Sequence, residues 1–143
     1  MLSRRNVLTG GAGLGLLALL GPWRAAAAEA LPPADARAFE SLEQVTALAA
    51  QRPTVLYFHA DWCPTCQATM TSFEARWPEV RAGLMLVIAD YDAETALKAR
   101  YGVTYQNTFV QVAADGSRMQ SWNGGGIEAL NARTIFPDGG GTP

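Results

Sequence analysis

Two of the 143 residues are cysteines, and they stand in the run His59-Ala60-Asp61-Trp62-Cys63-Pro64-Thr65-Cys66. Two residues between cysteines on a first helical turn bring the sulfurs within disulfide reach. A sulfur at a helix N-terminus meets unpaired amides and the positive end of the helix dipole, both of which favour a thiolate. Cys63 occupies that place and Cys66 lies one turn deeper, where it can attack a mixed disulfide formed at Cys63. Pro64 suits an early helical position because its missing N–H is no loss there. A permanent structural disulfide is the weaker reading, because so small a loop removes little chain entropy. With two cysteines and one histidine the chain cannot fill a four-ligand Cys/His zinc site, and it has too few cysteines for a disulfide framework.

The elements that must position this pair are legible from periodicity. Residues 54–58, Thr-Val-Leu-Tyr-Phe, form an unbroken β-prone run without alternation, as expected for a central strand buried on both faces. Residues 64–76 read as the helix that carries Cys66, with Met70, Phe73 and Trp77 on its core side and Glu74 on its solvated side. The pair therefore sits where a buried strand turns into a helix. Upstream, residues 36–40 predict a short edge strand. Ser41 and Gln44 form a capping box for a helix running from Leu42 to near Gln51. Downstream, residues 84–89 predict a second buried strand. Asp92 is assigned as N-cap of a helix over 93–101, with Gly102 as the C-terminal glycine. Residues 108–112 and 117–122 predict two further strands around the turn Asp115-Gly116. A helix over 127–135 follows, with Trp122 packing at a strand end. The order β-α-β-α-β-α-β-β-α implies an α/β domain with a central mixed sheet flanked by helices on both faces.

On these residues the chain resembles the thioredoxin-like superfamily. The resemblance runs from about Phe39 to Phe136. Its Ala60-Asp61-Trp62-Cys63 segment is especially similar to thiol–disulfide interchange domains of bacterial envelope electron-transfer systems. Asp90-Tyr91-Asp92, residues 99–103, residues 108–110 and Asp115-Gly116 are further landmarks. The resemblance implies a protein-disulfide oxidoreductase with Cys63 as attacking thiol and Cys66 as resolving thiol. The redox-active disulfide would be its only prosthetic device, with no cofactor and no metal. Trp62, Pro64, Thr65, His59 and Tyr57 would form the dithiol environment, and Gln106, Asn107 and Thr108 the loop that docks substrate.

Three departures from the family pattern stand out. Asn107 takes the place of the proline, usually cis, that faces the dithiol. A non-proline cis bond costs about 2.5–4 kcal/mol, which favours a trans loop here. Tyr57 takes the place of a buried aspartate that serves as proton relay, and a tyrosine is a poor base at neutral pH. His59 replaces an aromatic residue. It is read first as a hydrogen-bonded rim residue and second as a tuner of the Cys63 thiolate. Asn107 is read as a loop residue whose amide satisfies backbone groups. Trp62 is read as a packing lid with a secondary part in partner contact, and Asp61 as solvating the strand end.

The first thirty residues read as an address. Arg4 and Arg5 precede an apolar, glycine-rich stretch over 7–20, followed by alanines with A-x-A spacing at 26–30. The stretch is shorter than the roughly 20 apolar residues of a membrane span. Ser3-Arg4-Arg5-Asn6-Val7-Leu8 resembles a twin-arginine export signal. The organisation expected is a signal peptide over 1–30, a lead-in over 31–38, the thioredoxin-like domain over 39–136 and a glycine-rich tail over 137–143. That places the protein in the periplasm, without stable membrane insertion after cleavage. The net charge of −2 gives no basic footprint for nucleic acid. Expected partners are protein thiols and disulfides and a membrane electron-donor protein, with the reductant direction favoured. The alternative is a metal-binding or copper-delivery module, in which the two thiolates, with His59 or Asn107 nearby, hold Cu(I).

Overall fold

A computed structural model describes residues 33–137. The signal peptide expected over 1–30 and nearly all of the glycine-rich tail lie outside the described residues. The elements follow in the expected order. They are β1 (Asp35–Ala38), α1 (Leu42–Ala49), β2 (Thr54–His59), α2 (Pro64–Arg76), β3 (Met85–Asp90), α3 (Thr95–Tyr101), β4 (Thr108–Val112), β5 (Arg118–Asn123) and α4 (Gly126–Arg133), with a single 3-10 turn at Trp77–Glu79 after α2.

The sheet order is β1-β3-β2-β4-β5. β3 runs parallel to both β1 and β2, and β4 runs antiparallel to β2 and β5. β2 is the central strand, and residues 54–58 are all buried. Its side chains alternate between two cores. Leu56 and Phe58 join Val45 of α1 and Leu97 and Tyr101 of α3 on one face. Val55 and Tyr57 join Phe73 of α2 and Ile127 and Leu130 of α4 on the other. Helices thus cover both faces, as the element order requires.

Local chemistry explains most boundaries. Ser41 caps α1 by accepting from the Gln44 amide at 3.1 Å, and the Gln44 side chain accepts from the Glu40 amide at 3.1 Å. Gly102 closes α3 at φ 67°, a conformation that glycine takes without a Cβ penalty. β1 begins and ends a little earlier than expected, because it takes its register from β3 (Asp35 opposite Met85, Ala38 opposite Ile88) and not from its own weak pattern. The last helix ends at Arg133, short of Ile135. Gln111 draws the following segment back onto the sheet by accepting from the Ile135 amide and donating to the Ile135 carbonyl.

One assignment is corrected. Asp92 does not cap α3. Asp90 Oδ1 accepts from the amides of Asp92 and Ala93 at 2.8 and 3.1 Å, which turns the chain at the strand exit and delays the helix to Thr95. The Asp92 carboxylate is free to serve the dithiol side of the molecule.

Candidate active site

Cys63 is the N-cap of α2. Its backbone is extended (φ −89°, ψ 113°) and its Sγ accepts from the Cys66 amide at 3.2 Å. Sulfur here takes the part that a Ser or Asp oxygen takes in an ordinary cap. Pro64 stands at the first helical position. The Thr65 hydroxyl lies 3.1 Å from Cys63 Sγ. Cys66, one turn on, is fully buried, and Cys63 is 1% exposed. Both are free thiols here.

The two sulfurs titrate in opposite directions. Burial alone would raise Cys63; hydrogen bonds from the Cys66 and Thr65 side chains and amides outweigh it and hold the thiol below its ordinary value. Burial pushes Cys66 up, and the hydrogen bond and charge of Cys63 push it further. Folding therefore favours the Cys63 thiolate above the unfolded thiol's titration, and that stabilisation is lost as the pH falls through the folded value. For Cys66 the sign reverses: the neutral thiol is favoured at low pH, and the advantage goes as the pH rises through its raised value. Alkylation of the reduced protein with iodoacetamide, followed by peptide mass mapping, is expected to show a Cys63 midpoint below about 8.5, the value for a free thiol, and a Cys66 midpoint above it. Equal midpoints would remove the asymmetry.

The surrounding residues separate into a rim and a buried network. Trp62 is 58% exposed, so it is no packing lid. Its indole N–H donates to Asp92 Oδ2 at 2.7 Å, which ties the exposed ring to the turn after β3. His59 is the rim residue first read: its Nε2 pairs with Asp61 Oδ1 at 3.1 Å, and the groups that hold Cys63 down are Cys66 and Thr65. Asp61 also accepts from the Gln67 side chain through its backbone carbonyl, which ties the strand end to α2.

Asn107 is corrected more substantially. Its backbone sits at φ 59°, a left-handed conformation that Asn tolerates and that proline, locked near −65°, cannot adopt. The backbone meets its own needs: the Asn107 amide donates to Phe58 O at 2.9 Å, and its carbonyl accepts from Gly124 at 2.8 Å. The side-chain amide was expected to serve backbone groups, and its oxygen does not. It turns inward, and Oδ1 accepts from the Tyr57 hydroxyl at 3.0 Å and the Thr69 hydroxyl at 3.3 Å. Tyr57 is fully buried, and Asn107 and Thr69 nearly so. Burial and the neighbouring Cys66 push the Tyr57 phenol well above its usual range, so it is a neutral donor and not a base. Gln106 and Thr108, the other loop residues, are braced from β5: Asn123 donates to Gln106 O at 2.9 Å and Thr108 Oγ1 at 3.1 Å.

Sequence reasoning missed three members of this site. Thr69 follows Cys66 by three residues, so helical spacing could have placed it on the same face. Asp92 and Asn123 reach the site across 30 and 15–17 residues of chain, and no local pattern marks them. Among the described residues no three His, Cys, Asp or Glu side chains converge in a way that could hold a metal ion. Of the two residues that could add a copper ligand, Asn107 has its Oδ1 engaged by two hydroxyls, while His59 has Nε2 engaged by Asp61 and Nδ1 buried without a hydrogen-bond partner among these residues.

Residues 36–133 match the family model described as Thioredoxin. The chain belongs to the thioredoxin family. Its fold is found in a mutant thioredoxin from Halobacterium salinarum NRC-1 (24% identity, 73% of this chain and 91% of that one, TM-score 0.58). It is found also in the reduced Schistosoma mansoni thioredoxin pre-protein (20% identity, 72% and 99%, TM-score 0.55). A third likeness is to a chain in the complex of ferredoxin:thioredoxin reductase with thioredoxin f2 (16% identity, 68% and 90%, TM-score 0.57). No curated protein matches the chain. With its C-x-x-C pair at the head of α2, this thioredoxin-family chain is a protein-disulfide oxidoreductase of thioredoxin type.

Proposed function

We propose that the protein is an exported thiol–disulfide reductant, with Cys63 as attacking sulfur and Cys66 as resolving sulfur. The Cys63 thiolate attacks a disulfide of a protein substrate. A mixed disulfide forms and one substrate thiolate leaves. Cys66 then loses its proton and attacks Cys63 Sγ, which releases the second substrate thiolate and closes the Cys63–Cys66 disulfide. The active disulfide serves as the redox group, without a further cofactor.

The observation that carries this reading is the asymmetry of the two thiols. Cys63 is held down by the side chains and amides of Cys66 and Thr65, and Cys66 is buried and held up. The reductant direction is our reading of how that support is built. A strong oxidant owes its potential to a strongly stabilised reduced form. Here burial of both sulfurs works against the thiolate, and the groups of the described residues that most lower Cys63 are the neutral side chains and amides of Cys66 and Thr65. Export is supported by Arg4-Arg5, the apolar stretch over 7–20 and the alanines at 26–30. In this reading the loop Gln106-Asn107-Thr108 and the exposed ring of Trp62, next to Cys63 in the chain, receive the substrate. A reductase partner is in keeping with the reductase complex in which a chain of similar fold occurs, and for an exported protein a membrane electron donor would take that part.

The test is the reduction potential of the Cys63–Cys66 couple, equilibrated against dithiothreitol or glutathione. A value near about −270 mV is expected, in the range of reducing thioredoxins. A value near about −120 mV would belong to an oxidant that inserts disulfides and would overturn the direction.

A further inference from the structure

Resolution requires a thiolate on Cys66, and the groups of the described residues that act on it most are Cys63, the Ala60 amide and Tyr57, with no carboxylate among them. The groups facing Cys66 can be named element by element. β2 contributes Tyr57 and, 6.0 Å from the Tyr57 ring, His59, which is paired outward with Asp61. The turn after β2 contributes the Ala60 amide, which acts on the Cys66 sulfur. α2 contributes Cys63 and Thr69. The segment after β3 contributes Tyr91, packed against the Ala60–Cys63–Cys66 cluster with its hydroxyl donating to Thr104 O and the Lys98 ammonium over its ring. The loop before β4 contributes Asn107. Of these, the Tyr57 hydroxyl is the oxygen donor that acts on Cys66 while held by a third side chain, Asn107.

We propose that the Tyr57 hydroxyl is a two-position hydrogen-bond donor to the resolving sulfur, with Asn107 as the positioning residue that holds it in the off position. The inference rests on the thiol–disulfide exchange reading above. A phenol has one hydrogen to give. While Cys66 is a neutral thiol, that hydrogen goes to Asn107 Oδ1 at 3.0 Å. When Cys66 ionises, its proton passes to solvent and the phenol hydrogen turns to the sulfur anion. No proton leaves Tyr57. The Thr69 hydroxyl has its own single hydrogen, which goes to Thr65 O at 2.9 Å while the phenol serves Asn107; lying 3.3 Å from Asn107 Oδ1, it can turn there when the phenol leaves. The network is thus satisfied in both states, and a buried anion gains a donor without a buried base. It also gives a use to an Asn at a position where φ 59° excludes proline.

Two variants pull the equilibrium in opposite directions. Tyr57→Phe keeps the ring and removes the donor. Asn107→Gly accepts the left-handed backbone without strain and removes the competing acceptor, which frees the phenol for the sulfur. The reduced full chain is mixed with a small nitroaryl disulfide whose thiolate is coloured. Cys63 attacks and releases one coloured thiolate; Cys66 resolves the mixed disulfide and releases the second. The pH profile of the second release reports Cys66. Tyr57→Phe is expected to raise its midpoint by about one pH unit or more, which slows the second release at neutral pH by about tenfold. Asn107→Gly is expected to lower the midpoint. A midpoint unchanged in Tyr57→Phe, or unchanged or raised in Asn107→Gly, overturns the inference. Should Tyr57→Phe fail to fold, Asn107→Gly decides alone. The first release separates this outcome from failure of the underlying reading: a wild-type chain with no fast first release would not be using Cys63 as an attacking thiol at all.

Discussion

Cys63→Ser is expected to bring disulfide reduction down to the uncatalysed rate, a loss of about 10³-fold or more, as removal of a covalent nucleophile does. The thiolate is the reactive form, and a serine hydroxyl at the same N-cap would accept the Cys66 amide equally well without ionising. The fold should therefore survive while turnover goes. Cys66→Ser gives the complementary result. Attack at Cys63 proceeds, but the mixed disulfide has nothing to resolve it and accumulates as a covalent adduct visible by non-reducing electrophoresis. Turnover retained in Cys63→Ser, or no adduct in Cys66→Ser, would remove the assigned roles. The asymmetry comes from one turn of helix: Cys63 is at the cap with two donors on its sulfur, and Cys66 is inside the core with burial against its anion.

Phe109→Ala is expected to have the largest effect on stability. Phe109 is fully buried on β4, where its ring lies between Tyr57 at 4.5 Å and 17° and Trp122 at 5.5 Å and 8°. The edge of Phe73 meets it from α2 at 6.4 Å. Two neighbouring strands and a helix thus converge on one ring of β4. Deleting a buried phenyl group costs about 3–5 kcal/mol, part transfer and part residual cavity. Against a total stability of about 5–15 kcal/mol that is a large share, and it corresponds to a fall in Tm of about 15 °C or more for a domain of this size. Thermal unfolding followed by circular dichroism checks it; a Tm within a few degrees of wild type would mean that the aromatic stack bears little. The same substitution should loosen Tyr57, whose ring rests on Phe109 and whose hydroxyl reaches Asn107.

What the sequence determined by itself is the chemistry and its immediate support. The C-x-x-C spacing, Pro64 at the first helical position, the apolar run over 54–58 and the capping box at Ser41 are signals contained within a few residues. Each acts through contacts of that range: a cap, a turn, a face of a helix or strand. That is why the dithiol could be placed at a strand-to-helix junction and a helix-covered mixed sheet expected around it. The tertiary structure decided what crosses the sheet. It put β3 between β1 and β2 and so fixed the register of a first strand too weak to fix its own. It took Asp92 from a helix cap and gave its carboxylate to Trp62, 30 residues earlier in the chain. It turned Asn107 inward onto Tyr57, 50 residues earlier, and Thr69, 38 residues earlier. Residue type marked Asn107 and Tyr57 as departures, but their meeting depends on β2 and β4 lying side by side with Tyr57 opposite Phe109, a register that only packing of the whole sheet imposes.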